Sequence, residues 1–374
     1  MSTLGLYLHI PFCLSKCAYC DFCSFPAVDS DTRHRYAEAL AREISARAPA
    51  YRDRCVDTVF FGGGTPTLLS NEDLSMLADA IASHFCICED AEWSIECNPA
   101  TADAEKFRVL RESGFNRLSI GMQSACDGEL SHLGRAHRQS DLISAVRDAR
   151  DGGFTNINLD LMFGIPAQTR ESFSRTLDEA LALAPTHLSV YSLQIEEGTP
   201  FYEKRTALPL PDEDEEREMA ARLAERLHAA GYHRYEISNY AKEGYECRHN
   251  LRYWQMQDYL GLGLAAHSLV GDRRFYNGED LSAYLADPLS ILCEEERLDD
   301  AAREFETIML GLRLARGISE TTFSQAFGYG FFEKYGARLA PFLEAGLVCT
   351  DKTRTYLTDA GMALSNTILS EILD

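Results

Sequence analysis

The sequence predicts an α/β domain of parallel strands joined by helical crossovers, followed by a small α+β domain. Three observations carry this. Apolar strand-like runs recur about every 30 to 40 residues with helical stretches between them, the pattern of parallel strands buried on both faces. The G-x-G-x-x-G turn that a doubly wound fold places after its first strand is absent, and a cysteine loop stands there instead. Beyond residue 286 the pattern changes to short helices and a hairpin. The expected division is 1–285 for the core and 286–374 for the C-terminal unit.

Composition narrows the function. A formal net charge of −22 argues against a general nucleic-acid binder, because a phosphate backbone is repelled at long range. Twelve cysteines behind a start that lacks a charged n-region and apolar h-region indicate a reducing cytoplasm. Cys55, Cys86, Cys88, Cys97, Cys126, Cys293 and Cys349 therefore read as plain thiols. No apolar run approaches the roughly 20 residues of a spanning helix, which leaves peripheral membrane contact open.

Six core strands are counted. The first, Leu4-Gly5-Leu6-Tyr7-Leu8, leads into Cys13-Leu14-Ser15-Lys16-Cys17-Ala18-Tyr19-Cys20. Three thiolates at spacings of four and three can take three corners of a cubane iron–sulfur cluster and leave the fourth iron without a protein ligand. A zinc knuckle recruiting Cys23, or unligated thiols, are the alternatives. A helix over 31–48 shows Tyr36, Leu40 and Ile44 on one side. The strand over 56–61 runs into Gly62-Gly63-Gly64-Thr65, where missing Cβ atoms let backbone amides approach a ligand, a flexible turn being the alternative.

Strands over 92–96, 117–121, 156–160 and 187–191 follow, separated by helices over 102–113, 140–152 and 170–183. Glu96, Gln123 and Asp160 fall at strand ends, with Arg135 in the loop after the fourth strand, where a barrel would bring them to one mouth; each could also be a cap. An acidic helix start over 209–217 complements its dipole. Then Cys247, His249, Tyr253 and Trp254 crowd a short stretch, offering an iron ligand beside ring faces, although His249 taken by itself reads first as a structural histidine. Residues 261–268 read as a glycine-rich loop ending the sheet, and Pro288 with Glu294-Glu295-Glu296 as a solvated connection. Helices over 305–316, 319–327 and 332–345 with a hairpin over 346–358 form a winged-helix-like unit without a basic face.

The C-x3-C-x2-C loop, entered through His9-Ile10-Pro11-Phe12-Cys13, resembles the cluster loop of the radical S-adenosylmethionine superfamily. Within it the chain is similar to the anaerobic coproporphyrinogen III oxidases and the HemW-type haem chaperones. That resemblance implies an open partial (β/α)6 barrel with a winged-helix-like C-terminal domain. It also implies a [4Fe–4S] cluster on Cys13, Cys17 and Cys20, with S-adenosyl-L-methionine on the remaining iron. Tyr7, Tyr19, Gly64, Thr65, Glu96, Gln123, Arg135 and Asp160 would surround these groups, Arg135 facing the methionine carboxylate. His249-Asn250-x-x-Tyr253-Trp254 resembles the H-N-x-x-Y-W motif of the chaperones, which implies haem at His249 and acceptor haemoproteins as partners. The oxidases carry an extension before the first strand and a cysteine at the place of Phe22; their absence here favours the chaperone. Cys23 departs from the chaperones' usual asparagine.

Overall fold

The computed structural model describes residues 2–373. Six parallel strands stand side by side in chain order: Ser2–Ile10, Arg54–Gly63, Cys86–Cys97, Arg117–Gln123, Asn156–Phe163 and His187–Ser192. A doubly wound sheet reverses its order at a switch point. None of these six reverses, so the open barrel is the architecture.

A seventh parallel strand, Tyr259–Leu262, pairs with the free edge of the first, as a closing barrel would have it. This corrects the loop expected over 261–268. His267–Val270, Arg273–Asn277 and Leu292–Arg297 then extend that side as antiparallel strands. The connection expected around Glu294 is thus an edge strand. At the other side Asn239–Ala241 runs antiparallel to the sixth strand. The barrel stays open between these flanks.

Local chemistry accounts for the helices. Asp29 caps Ser30–Arg47 by accepting from Thr32 N at 2.9 Å, and Tyr36, Leu40 and Ile44 face the sheet. Asp212 and Glu215 form a capping box on Glu213–Ala229, so the acidic run does what the dipole asks of it. In the C-terminal region a separate core gathers Ile308, Phe323, Phe331, Leu339, Leu357 and Ile368. Its first helix is Asp300–Gly311, five residues earlier than expected, because Asp299 accepts from Ala302 N and sets the start.

One thiol expectation fails. The parallel register sets Cys55 beside Cys86, and Cys55 and Cys88 are joined as a disulfide with Cα atoms 5.8 Å apart. Cys86 Sγ lies 3.9 Å from Cys55 Sγ.

The turn after Tyr259–Leu262 is held by Glu43, which has no solvent exposure. It accepts from Gly263 N, Tyr284 Oη, Asn277 Nδ2 and Arg47 Nε at 2.8 to 2.9 Å. A buried carboxylate with four donors is stable only while all of them stay. Glu43→Ala should lower unfolding free energy by about 3 to 5 kcal/mol, read from the urea midpoint. An unchanged midpoint would remove Glu43 from that role.

Candidate functional site

Strand alternation builds the inside of the barrel. In Arg117–Gln123 the residues Leu118, Ile120 and Met122 pack outward into the apolar core, leaving Arg117, Ser119, Gly121 and Gln123 on the other face. Asn158 and Asp160 do the same on the fifth strand, and His187, Ser189 and Tyr191 on the sixth. Register then makes rungs: Asn158 stands level with Ser119 and His187, and Asp160 with Gly121 and Ser189. Asn158 Nδ2 donates to Ser119 Oγ at 2.7 Å and to Asp160 Oδ1 at 2.8 Å. His187 Nδ1 bonds Asn158 Oδ1 at 2.6 Å and its Nε2 meets Tyr235 Oη at 2.8 Å. The lumen is therefore polar, with a cavity of about 190 Å³ lined among others by Tyr7, Glu96, Arg117, Asp160, Tyr191 and His249.

Burial dominates the electrostatics there. It raises Glu96, with nearby Asp160 adding to the rise, to about 8. Asp160 is raised too, against the hydrogen bonds of Asn158, Ser189 and Ser119 that oppose the shift. Glu96 Oε2 accepts from Gly63 N at 3.1 Å, which holds the carboxyl at the mouth.

The cysteine loop lies over this mouth. Cys13, Cys17 and Cys20 are half-buried and free. The loop is pinned at Ala18, whose N–H donates to Leu133 O and whose carbonyl accepts from Phe201 N, both at 3.0 Å. Tyr19 packs into the small apolar cluster of Leu133, Met162, Ile165, Leu193 and Phe201. Thr65 Oγ1 lies 3.8 Å from Cys13 Sγ, and Arg135 Nη1 lies 3.6 Å from Cys17 Sγ. Arg135 Nη2 donates to Gly121 O at 3.3 Å, while its buried Nε has no partner among the described residues. A buried guanidinium nitrogen left open beside the Cys17 thiol suits an anionic group. Gln123 reaches the same point from a left-handed backbone at φ 61°.

The glycine run has a different reason from the one expected. A Cβ on Gly64 would lie 2.6 Å from Phe12 O, and one on Gly63, at φ +108°, 2.5 Å from the His9 ring. Gly64 N donates to Ile10 O and Thr65 N to Phe12 O, at 2.9 and 2.7 Å. The chain's own entry into the cysteine loop occupies the space, so these glycines position the loop.

The H-N-x-x-Y-W segment is the helix Arg248–Trp254. Arg252 anchors it: buried, it pairs with Asp57 and bonds Thr58 Oγ1, Thr3 Oγ1 and Asp258 O at 2.9 to 3.0 Å. His249 is only 1% exposed. Its Nδ1 bonds Thr58 Oγ1 at 2.9 Å, its Nε2 bonds Tyr253 Oη at 2.8 Å, and it stacks on Phe60. Burial lowers it to about 3, so it is neutral. As an iron ligand it would have to break one of these bonds and leave its stack. Helical spacing carries Tyr253 to the mouth but turns Trp254 into a groove against Phe323 and Phe327, so the two rings do not flank one site. Cys247 is buried on Glu92, away from the mouth.

Sequence reasoning missed Arg117, Asn158, Ser189 and Tyr253's neighbour Tyr259. The signal for the first three was present: a polar residue at every second position of an otherwise apolar strand.

A radical SAM superfamily model matches residues 7–180 and a HemN C-terminal domain model residues 298–364. The chain is 36% identical over 373 residues, covering 98% of both chains, to the haem chaperone HemW of Bacillus subtilis. The chain belongs to the HemW family of haem chaperones. It is 40% identical to the HemW of Escherichia coli over 71% of this chain and 70% of that one. The structure of the coproporphyrinogen III oxidase HemN from Escherichia coli, a radical SAM enzyme, superposes with a TM-score of 0.88 at 27% identity, covering 99% of this chain and 90% of that one. The radical SAM family carries a [4Fe–4S] cluster and S-adenosyl-L-methionine. Cys13, Cys17 and Cys20 are free thiols on one short loop with Arg135 against Cys17, although among the described residues no three His, Cys, Asp or Glu side chains are gathered closely enough to hold a metal ion.

The Glu96 carboxyl gives a pH test. Unfolded, it loses its proton near 4.5; folded, it keeps it to about 8. The native state binds more protons across that window, so this group's contribution to stability falls as pH rises through it. Glu96→Gln should therefore raise Tm more at pH 8 than at pH 5. An equal effect at both would mean the carboxyl ionises normally.

Proposed function

We propose that this protein is a haem chaperone that holds a [4Fe–4S] cluster on Cys13, Cys17 and Cys20, binds S-adenosyl-L-methionine at the barrel mouth and passes haem to acceptor haemoproteins. The observation that carries this reading is 36% identity to HemW over 98% of both chains, joined to three free thiols on the loop over the polar mouth. A cluster held by Cys13, Cys17 and Cys20 would, once reduced, supply an electron to S-adenosylmethionine. The protein's own residues bind and orient. Arg135 offers its open Nε to the methionine carboxylate, Glu96 and Asp160 offer acceptors to amine and ribose, and Thr65 supports Cys13. Tyr7 lines the same cavity, and Tyr19 seats the loop. No helix among the described residues is long and apolar enough to cross a membrane.

The second reading is oxygen-independent coproporphyrinogen III oxidase, favoured by the superposition on that enzyme. One anaerobic experiment separates them. Incubated with haem and an apo-haemoprotein, the protein should hand over haem. Given coproporphyrinogen III, S-adenosylmethionine and a reductant, it should release no carbon dioxide. Stoichiometric decarboxylation would overturn the chaperone reading.

Iron analysis of reconstituted protein tests the cluster ligands. Cys13→Ala, Cys17→Ala and Cys20→Ala should each lose the cluster, and Cys23→Ala should keep it. Loss in Cys23→Ala would indicate a four-cysteine site without an open iron.

A further inference from the structure

We propose that the groove between the barrel and the C-terminal unit docks an acidic segment of a partner protein, with an apolar side chain of that segment seated beside Trp254 and its carboxylates held by Arg303, Arg316 and Arg354. The groove has a volume of about 440 Å³, more than a lone phosphate needs. Its apolar lining comes from both sides: Trp254 and Leu269 from the core, Ile318, Phe323 and Phe327 from the C-terminal unit. It shares no residue with the polar lumen cavity, yet Trp254 follows Tyr253, which walls that lumen, on the same helix. A segment docked there would lie against the helix that borders the barrel mouth.

Charge selects the occupant. This chain carries 58 acidic against 36 basic side chains, and its arginines elsewhere are spent on carboxylates, as Arg274 on Glu306 at 2.6 Å and Arg47 on Glu43 at 2.8 Å. Arg303, Arg316 and Arg354 all line the groove, and none of the three forms an ion pair with a carboxylate among the described residues. Arg354 Nη1 donates to Arg316 O at 3.3 Å, which draws these two together. Partial burial and then the Arg354 charge lower Arg316, so the pair repels itself and gains from an anion between its members.

The remaining walls favour a polypeptide. Arginine, methionine and large aromatic rings are the side chains enriched where proteins meet, and a guanidinium fork matches a carboxylate with two parallel bonds. Met256 is fixed in the groove by Thr307 Oγ1, 3.4 Å from its sulfur, and by a left-handed backbone at φ 50°. Ile318–Ser319 is an edge strand of the small three-stranded sheet, and an edge in a groove suits an extended segment. Nucleic acid and an anionic membrane would both meet long-range repulsion from a net charge of −22, whereas a short acidic segment reaches into the local positive field.

The full-length protein with its cluster is titrated with a short labelled peptide in which aspartates flank a central phenylalanine. Label anisotropy reports binding, and tryptophan emission reports its place, because Trp254 lines the groove while Trp93, the other tryptophan, is buried in the core. Wild type should bind the peptide with a shift in emission, and more weakly as salt rises. Arg316→Glu should weaken binding by at least about tenfold, and Arg316→Lys by less, since lysine keeps the charge without the fork. Ala326→Trp, at an exposed position of the groove wall, should block the peptide. All three variants should keep the iron content of wild type, which separates lost docking from lost folding. A wild-type protein that does not bind the peptide, unchanged binding in Arg316→Glu, or equal binding of a peptide with lysines in place of the aspartates would overturn the proposal. So would equal affinity for inorganic phosphate, which makes the groove a free-anion site, or capture by phosphatidylglycerol vesicles or duplex DNA in preference to the peptide. The cluster and haem-transfer assays are separate from these, so the haem-chaperone reading stands or falls without them.

Discussion

Pairing of the first strand on both of its edges is the constraint from which the rest of the site hangs. Ser2–Ile10 runs between Arg54–Gly63 and Tyr259–Leu262, with Leu4, Leu6 and Leu8 wholly buried. Its alternate residues Tyr7 and His9 therefore reach the mouth at a fixed height. Three residues past its end comes Cys13, and the Gly63-Gly64 turn is laced to the same stretch by backbone bonds. Gly5 leaves room for Arg252, whose side chain would meet a Cβ there at 2.6 Å. One strand thus aligns the cysteine loop, the glycine turn and the H-N-x-x-Y-W helix.

A polar lumen is an unstable thing to build. Burying carboxyls without full pairing costs free energy, and here Glu96 and Asp160 answer by holding protons more tightly. Arg117 and Arg135 each keep a buried Nε without a partner among the described residues. A sequence selected only for stability would fill such a barrel with branched apolar side chains. The retained polarity is what binding a charged nucleotide needs, and the apolar layer outside the sheet, from Leu118 to Leu161, carries the stability instead.

The superposition on coproporphyrinogen III oxidase shows how much of this frame a different activity shares. The two chains share the fold over 99% of this one.

Strand periodicity and the cysteine spacing were local properties, so the chain alone determined six parallel strands with helical crossovers and the three-cysteine loop over 13–20, while the open barrel was what the family resemblance implied. Strand ends were legible in the same way for Glu96 and Gln123, whereas Asp160 lies inside a strand that runs on to Phe163 and faces the lumen from there. What the chain could not show was anything decided between distant segments. Tyr259–Leu262 is short and glycine-rich, and only its pairing with the first strand makes it a strand. Gly63 and Gly64 looked made for a ligand, yet Phe12 and His9 fill that space. His249 sat in a stretch dense with potential ligands, and tertiary packing against Thr58 and Tyr253 took both its nitrogens. Spacing along a chain specifies which residues can meet within one loop or helix; whether an imidazole remains open depends on neighbours that only the folded sheet supplies.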